Sequence, residues 1–224
     1  MHLKPIPFNK IKIQSDFWSP RLETIQKKTI RVCLEHCEET GRIGNFRKAA
    51  HRENGTFEGT FFDDSDVYKV LEGAAYCLKN QPDPELEQLV DNVIETICEA
   101  QQPDGYIYTY FTLNTPEKRW TDMDMHEDYC LGHLLEAGIA YAQSTGKEAL
   151  LQCAIRGVKQ MMSVFGPDKR HWVTGHQEIE LALIRLYRYT GENQYLNFAH
   201  WLMEERGHGH FDSERQRTLH HFPL

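Results

Sequence analysis

Asp66-Val67-Tyr68-Lys69-Val70-Leu71-Glu72-Gly73-Ala74-Ala75-Tyr76 is the stretch from which the fold can be read, because it recurs. A turn at Asn80-Gln81-Pro82-Asp83-Pro84 follows it, then a second helical pattern from Glu85 to Ala100. The same plan returns from His126 to Gln143, with a turn at Ser144-Thr145-Gly146-Lys147 and a partner from Glu148 to Phe165. It returns again from Gln177 to Tyr189, with a turn at Thr190-Gly191-Glu192-Asn193 and a partner from Gln194 to Glu205. Glu72-Gly73-Ala74-Ala75-Tyr76 matches Glu136-Ala137-Gly138-Ile139-Ala140-Tyr141, and the two Thr-Gly turns match each other. A repeating unit of about 40 residues built as a helical hairpin is the signature of a helical array.

The two helices of each hairpin differ in kind. Leu86, Leu89, Val90, Val93 and Ile97 form one apolar stripe at helical spacing, as do Leu151, Ala154, Ile155, Val158, Met161, Met162 and Phe165. Such helices keep one face in water. The first helices are apolar nearly all round: Leu181, Ala182, Leu183, Ile184, Leu186 and Tyr187 are interrupted mainly by Arg185 and Arg188. Gly132 and Gly138 each cost about 1 kcal/mol of helix propensity relative to Ala, a cost that close helix packing offsets. First helices are therefore inner and second helices outer. The fold class is all-α: hairpin repeats with about seven long helices, forming part of an (α/α)6 barrel whose ring is incomplete.

Working outward, residues 1–15 look extended, with Ile11 and Ile13 alternating with Lys12 and Gln14. A helix over roughly 19–40 ends at Gly41. Residues 42–62 read as an irregular loop carrying Gly44, Gly55, Gly59 and four phenylalanines. Gln102-Pro103-Asp104-Gly105-Tyr106-Ile107-Tyr108-Thr109-Tyr110 reads as a turn and a short aromatic strand or lid. Residues 1–210 form one unit and 211–224 a tail.

Inner helices that all run the same way gather their N-termini at one end. There the sequence places Asp63, Asp64 and Asp66, then Asp124, His126, Glu127 and Asp128, then His176, Glu178 and Glu180. Capping accounts for part of this: Asp64, Asp124 and Thr174 sit where N-caps belong. Capping does not account for the histidines. Neutral imidazoles that donate and accept hydrogen bonds suit sugar hydroxyls. The candidate substrate-binding set is His126, His176, Asp66, Glu127 and Glu178. His133, two turns into its helix, reads as a core residue.

The 224 residues carry 25 basic and 33 acidic side chains, a net charge of −8 with no basic stripe, which argues against a nucleic-acid binder. No apolar run approaches the roughly 18 residues of a membrane span, and Met1 to Pro7 has no apolar core of a signal peptide. Cys33, Cys37, Cys77, Cys98, Cys130 and Cys153 are scattered and read as reduced, packed thiols of a cytoplasmic protein. His208, His210, His220 and His221 have no cysteine beside them, and no metal site is read there.

Phe61-Phe62-Asp63-Asp64-Ser65-Asp66-Val67-Tyr68-Lys69, His126-Glu127-Asp128-Tyr129, Gly132-His133 and Gly175-His176-Gln177-Glu178-Ile179-Glu180-Leu181-Ala182-Leu183 carry a resemblance. With Phe17-Trp18-Ser19-Pro20-Arg21, Pro82-Asp83-Pro84-Glu85-Leu86 and Ala100-Gln101-Gln102-Pro103-Asp104-Gly105-Tyr106, the chain resembles glycoside hydrolase family 127, the β-L-arabinofuranosidases. The resemblance implies an (α/α)6 catalytic barrel, a substrate of the L-arabinofuranoside type, and histidines at 126 and 176 that hold the sugar. It also implies an acid/base glutamate after the third hairpin and a zinc-bound cysteine nucleophile from a Cys-Cys pair. Neither occurs in context; Glu35-His36-Cys37 has the form of the family's Glu-x-Cys but lies in the first helix. The expectation is an N-terminal part of the catalytic domain, with no catalytic residue and no zinc of its own, inactive alone and completed by a C-terminal half. Two other readings stay open: a helical-repeat binding or scaffold protein, and another (α/α) barrel hydrolase or epimerase using a carboxylate pair among Asp64, Asp66, Glu127 and Glu178.

Overall fold

A computed structural model describes residues 6–206 and residue 208 of the chain. Within these residues the secondary structure is helical, with no strand. Helices α1 (Trp18–Thr24) and α2 (Ile30–Glu39) join through a π-type stretch, Ile25–Thr29, into one rod that ends at Gly41 with φ 76°. Then come α3 (Arg42–Ala49), α4 (Asp64–Asn80), α5 (Pro84–Ala100), α6 (Thr109–Asn114), α7 (Glu127–Thr145), α8 (Ala149–Val164), α9 (Glu178–Thr190) and α10 (Asn193–Glu204). Counting the rod once, seven of these are long. The pairs α4/α5, α7/α8 and α9/α10 are the three hairpins read from the repeats.

The layering follows the patterning. Helix α7 packs against α4 on one side, α9 on the other and α8 behind. It is accordingly buried almost all round, from Cys130 through Ala142 with only His133 left partly open. The outer helices bury one stripe: Leu86, Val90, Val93, Ile94 and Ile97 on α5, and Leu151, Cys153, Ala154, Val158 and Met161 on α8. Each large aliphatic side chain buried this way contributes roughly 1.5–3 kcal/mol. Glycine sets the closest approaches. A Cβ on Gly138 would lie 2.8 Å from Leu151 Cα, and one on Gly132 would lie 3.0 Å from the backbone of Glu178 and Ile179. Gly138 thus lets α8 lie against α7, and Gly132 does the same for α9.

The three inner helices are parallel. Lys69 on α4 meets Tyr129 on α7, while further along Arg185 on α9 reaches both Glu136 on α7 and Glu72 on α4. Their N-termini therefore share one end, as the repeats require.

Several expectations are corrected. Residues 42–49 are helical rather than irregular: Ile43, Phe46 and Ala49 bury one face, and Asn45 clamps the Glu58 backbone through two hydrogen bonds of 2.8 and 3.0 Å. The aromatic stretch after Gly105 forms no strand; Tyr106, Ile107 and Tyr108 are buried as coil that leads into α6. Asp64, Asp124 and Thr174 are not the caps of these helices. The heads of α4, α7 and α9 have no side-chain cap, because Asp64 is engaged by Thr109 and Thr174 by Glu180. Glu72, Tyr76, Glu136 and Arg185 link the inner helices as a polar network, with Tyr76 donating to Glu72 at 2.6 Å. Exposed apolar groups collect elsewhere, at Trp18, Ile25 and Val32 on the rod and Leu181 on α9. The tail read over 211–224, with His220 and His221, lies outside the described residues, as does His210.

Candidate functional site

Each inner helix starts with an acid that anchors a loop. Asp64 accepts from Thr109 N at 2.8 Å and Thr109 Oγ1 at 2.5 Å. Asp128 accepts from Trp172 Nε1 at 2.9 Å. Glu180 accepts from Thr174 Oγ1 at 2.6 Å and Arg206 Nη2 at 3.2 Å. In the first two, the loop held is the one leading to the next hairpin. Glu127 adds a further tie, accepting from Trp120 N at 2.8 and 3.0 Å and from Tyr106 OH at 2.5 Å. All four carboxylates are buried. Burial pushes Asp64 up to about 6, Asp128 up to about 7 and Glu127 up to about 8, against the hydrogen bonds that favour their charged forms.

These anchors present two histidines to each other. His126 occupies a left-handed backbone conformation, φ 62° and ψ 24°, at the head of α7. For a residue with a Cβ this is strained, and such strain persists only where surrounding contacts enforce it. Here Tyr108 OH donates to the Met125 carbonyl and Asp122 holds Asp124 N at 2.9 Å. Gly175 brings the second loop in: a Cβ there would lie 2.7 Å from the Met123 carbonyl. His126 Nε2 and His176 Nε2 are 3.1 Å apart.

The tautomers follow from donor counting. Asp124 carbonyl oxygen, 2.5 Å from His126 Nδ1, can only accept, so Nδ1 carries the proton. In neutral His126, Nε2 is then the acceptor, and His176 donates from its own Nε2. The pair is polarised from His176 through His126 to the Asp124 carbonyl.

Aromatic rings surround it. Phe61 and Phe62 lie 5.3 and 5.4 Å from the His126 ring, and Tyr129 lies 5.5 Å from His126 and 5.0 Å from His176. Tyr129 OH accepts from Lys69 Nζ at 2.7 Å. Below Tyr129, His133 lies 4.6 Å away ring to ring and faces Glu178, Nδ1 to Oε1, at 3.2 Å. Burial and the nearby Lys69 charge push His133 down to about 4, so it is neutral near pH 7.

Of the expected set, His126, His176 and Glu178 come together. Asp66 sits in the first turn of α4, ion-paired with Arg42 at 3.0 Å and near Lys69 at 3.8 Å. Glu127 is turned inward, 2% exposed, because its carboxylate is taken by Trp120 and Tyr106. The carboxylate-pair reading loses Asp64 and Glu127 for the same reason: both are buried in loop contacts. Lys69, Tyr129 and His133 lie at the same end; sequence reasoning passed over the first two and took His133 as a core residue. The repeat register would have found them: aligning Glu72 with Glu136 also aligns Phe62 with His126, Ser65 with Tyr129 and Lys69 with His133. Among the described residues the zinc that the family resemblance implies finds no fitting ligand set. Among the described residues no three His, Cys, Asp or Glu side chains gather as a metal site.

Three parallel inner helices backed by outer ones, with histidines, aromatic rings and acids at one end, define an all-α hairpin-repeat fold. The chain belongs to the family described as beta-L-arabinofuranosidase, GH127 catalytic domain, whose model matches residues 10–222. It is 42% identical over 174 residues to a non-reducing end beta-L-arabinofuranosidase of Bifidobacterium longum subsp. longum, covering 74% of this chain and 26% of that protein. It superposes on the crystal structure of a GH127 β-L-arabinofuranosidase from Geobacillus stearothermophilus T6 with a TM-score of 0.88 at 39% identity, covering 92% of this chain and 34% of that one. A second solved GH127 β-arabinofuranosidase matches with a TM-score of 0.83 at 41% identity, over 91% of this chain and 34% of its own. The chain thus spans about a quarter to a third of these relatives. No described helix is long and apolar enough to cross a membrane.

Proposed function

We propose that this chain forms the sugar-holding wall of a glycoside hydrolase acting on non-reducing-end β-L-arabinofuranosides in carbohydrate catabolism. The His126–His176 pair carries the reading. One imidazole donates to the other at 3.1 Å in a partly open mouth rimmed by Phe61, Phe62 and Tyr129. A furanose ring offers hydroxyls to the histidines and an apolar face to the rings. Asp66 and Glu178 accept from further hydroxyls, and Glu127 holds the His126 loop from beneath. The family assignment and the named activity of the relatives support this choice of sugar.

The acid/base glutamate and the zinc-bound cysteine nucleophile lie, on this reading, in a C-terminal part that completes the domain. The chain as given binds sugar and does not turn it over. Saturation-transfer NMR with methyl β-L-arabinofuranoside should show contact with the wild-type chain and loss of it in His126→Ala and His176→Ala. Release of L-arabinose or nitrophenol from a β-L-arabinofuranoside by the purified chain would sink the second half of the proposal. Absence of any ligand contact in the folded wild-type chain would sink the first. The cytoplasm remains the expected compartment.

A further inference from the structure

On the outer layer, away from the histidine mouth, α5 and α8 lie side by side and are pinned at one level. Gln101 Nε2 donates to the Cys153 carbonyl at 2.8 Å, and Arg156 Nε donates to Gln101 Oε1 at 2.6 Å. One turn back on α5, Cys98 Sγ donates to the Ala149 carbonyl at 3.6 Å. That carbonyl is the one whose helical turn closes on Cys153. Cys98 Sγ therefore lies against the same turn of α8 that carries Cys153. Cys153 is fully buried and Cys98 is partly open to solvent. All six cysteines are reduced in this structure.

We propose that Cys98 and Cys153 are an oxidative modification site, a dithiol that closes into a disulfide joining α5 to α8. The hydrogen bond from Cys153 and the Arg156 charge hold the Cys98 thiol below its ordinary range, whereas Cys153 is raised. Cys98 is therefore the attacking thiolate and Cys153 the resolving thiol. With a hydroperoxide as oxidant, Cys98 sulfur attacks one peroxide oxygen and the O–O bond breaks. This gives Cys98 sulfenic acid and, after protonation, water or alcohol. Cys153 sulfur then attacks Cys98 sulfur, the S–O bond breaks, and the hydroxide leaves as water with the Cys153 proton. Two thiols lose two electrons and the peroxide gains them. The segment enclosed runs from α5 to α8 and contains α6, His126 and all of α7, so the bridge staples the layer behind the mouth.

The test uses the full chain titrated with hydrogen peroxide and mapped by non-reducing tryptic mass spectrometry. The expected product is a peptide pair linking Cys98 to Cys153, with an intact-mass loss of about 2 Da. The unfolding midpoint should rise by about 5–10 °C on oxidation and return with reductant. Cys153→Ser should stop at a Cys98 sulfenic acid that a dimedone reagent traps, and Cys98→Ser should give neither product. The mapping of the wild-type chain decides the matter even if a variant misfolds. A link at Cys33–Cys37 instead, bridging only between chains, or no link while the chain stays folded would overturn the proposal.

Discussion

The heads of α7 and α9 begin alike and end differently. Both place a histidine one or two residues before a glutamate at the start of an inner helix: His126-Glu127 and His176-Gln177-Glu178. In the first, the glutamate is buried and spends its oxygens on Trp120 N and Tyr106 OH. In the second, Glu178 stays half-open and faces His133 at 3.2 Å. The two differ in where helix geometry points the carboxylate. Glu127 directly follows the strained His126, so it turns under its own loop; the extra Gln177 rotates Glu178 towards α7. Similar local sequence thus yields an anchor in one place and a rim residue in the other.

Removing the anchor should have the largest effect. Glu127→Ala leaves the Trp120 N–H and the Tyr106 hydroxyl without their acceptor inside the protein. An abandoned buried polar group costs about 1–3 kcal/mol, so a loss of roughly 2–5 kcal/mol is expected in urea unfolding. Sugar contact at His126 should fall with it. Glu127→Gln should cost less, because the group is held up to about 8 by burial and is already mostly protonated at neutral pH. Equal losses from the two substitutions would break the distinction drawn between anchor and rim.

The pH dependence tests the same point without mutation. Asp64, Asp128 and Glu127 are all raised above their unfolded values by burial. Between pH 4 and 8 the folded chain therefore holds more protons than the unfolded one, and stability falls as pH rises. The stabilisation is complete below about pH 4 and is lost by about pH 8, as each group passes its folded value. His133 works the other way: depressed to about 4, it withholds a proton that the unfolded chain takes up, so stability gained from it grows from about pH 4 to 6.5. Thermal midpoints should therefore decline most clearly between pH 6.5 and 8, and Glu127→Gln should flatten that decline.

Much of this organisation was legible in the sequence. The hairpin repeat, the inner and outer helices and the shared N-terminal end all follow from apolar spacing, because burial repeats with the helix period. The pairing of His126 with His176 followed from that arrangement. What stayed hidden depended on which way a carboxylate faces. Asp64, Asp124 and Thr174 have the spacing of caps, yet Asp64 and Thr174 reach across to tertiary partners distant in sequence or in the next turn. Residues 42–49 hid their helix behind Gly41 and Gly44, since its stability comes from Phe46 against Tyr68 and from Asn45 on the Glu58 backbone. His133, read as a core residue, is the one partly open position of a helix buried nearly all round, and periodicity cannot mark which face is left open.

Gly132 sits between the two heads and sharpens the comparison next. Gly132→Ala gains about 1 kcal/mol of helix propensity. Its Cβ, however, would meet Glu178 Cγ at 2.8 Å and the Ile179 nitrogen at 3.0 Å. A flexible side chain can retreat but a helix backbone cannot do so cheaply, and overpacking of this kind costs about 1–3 kcal/mol. The net stability change should be small, about 0–2 kcal/mol destabilising. Sugar contact should suffer more than stability does, because α9 must shift and carries His176 away from His126.

The smallest effect falls on the rim. Glu178→Ala removes a half-open carboxylate, raised above its ordinary range mainly by burial, from beside a neutral histidine. A neutral partner offers a hydrogen bond and no full ion pair, and solvent can replace much of it. The unfolding free energy should therefore change by less than about 1 kcal/mol. Losing the acid also relieves a buried charge, which offsets part of the lost bond. If Glu178→Ala unfolds the chain as readily as Glu127→Ala does, Glu178 is a second anchor and the mouth is a structural seam. If stability holds while contact with an L-arabinofuranoside weakens, the two heads have divided the work, one holding the loop and the other facing the ligand.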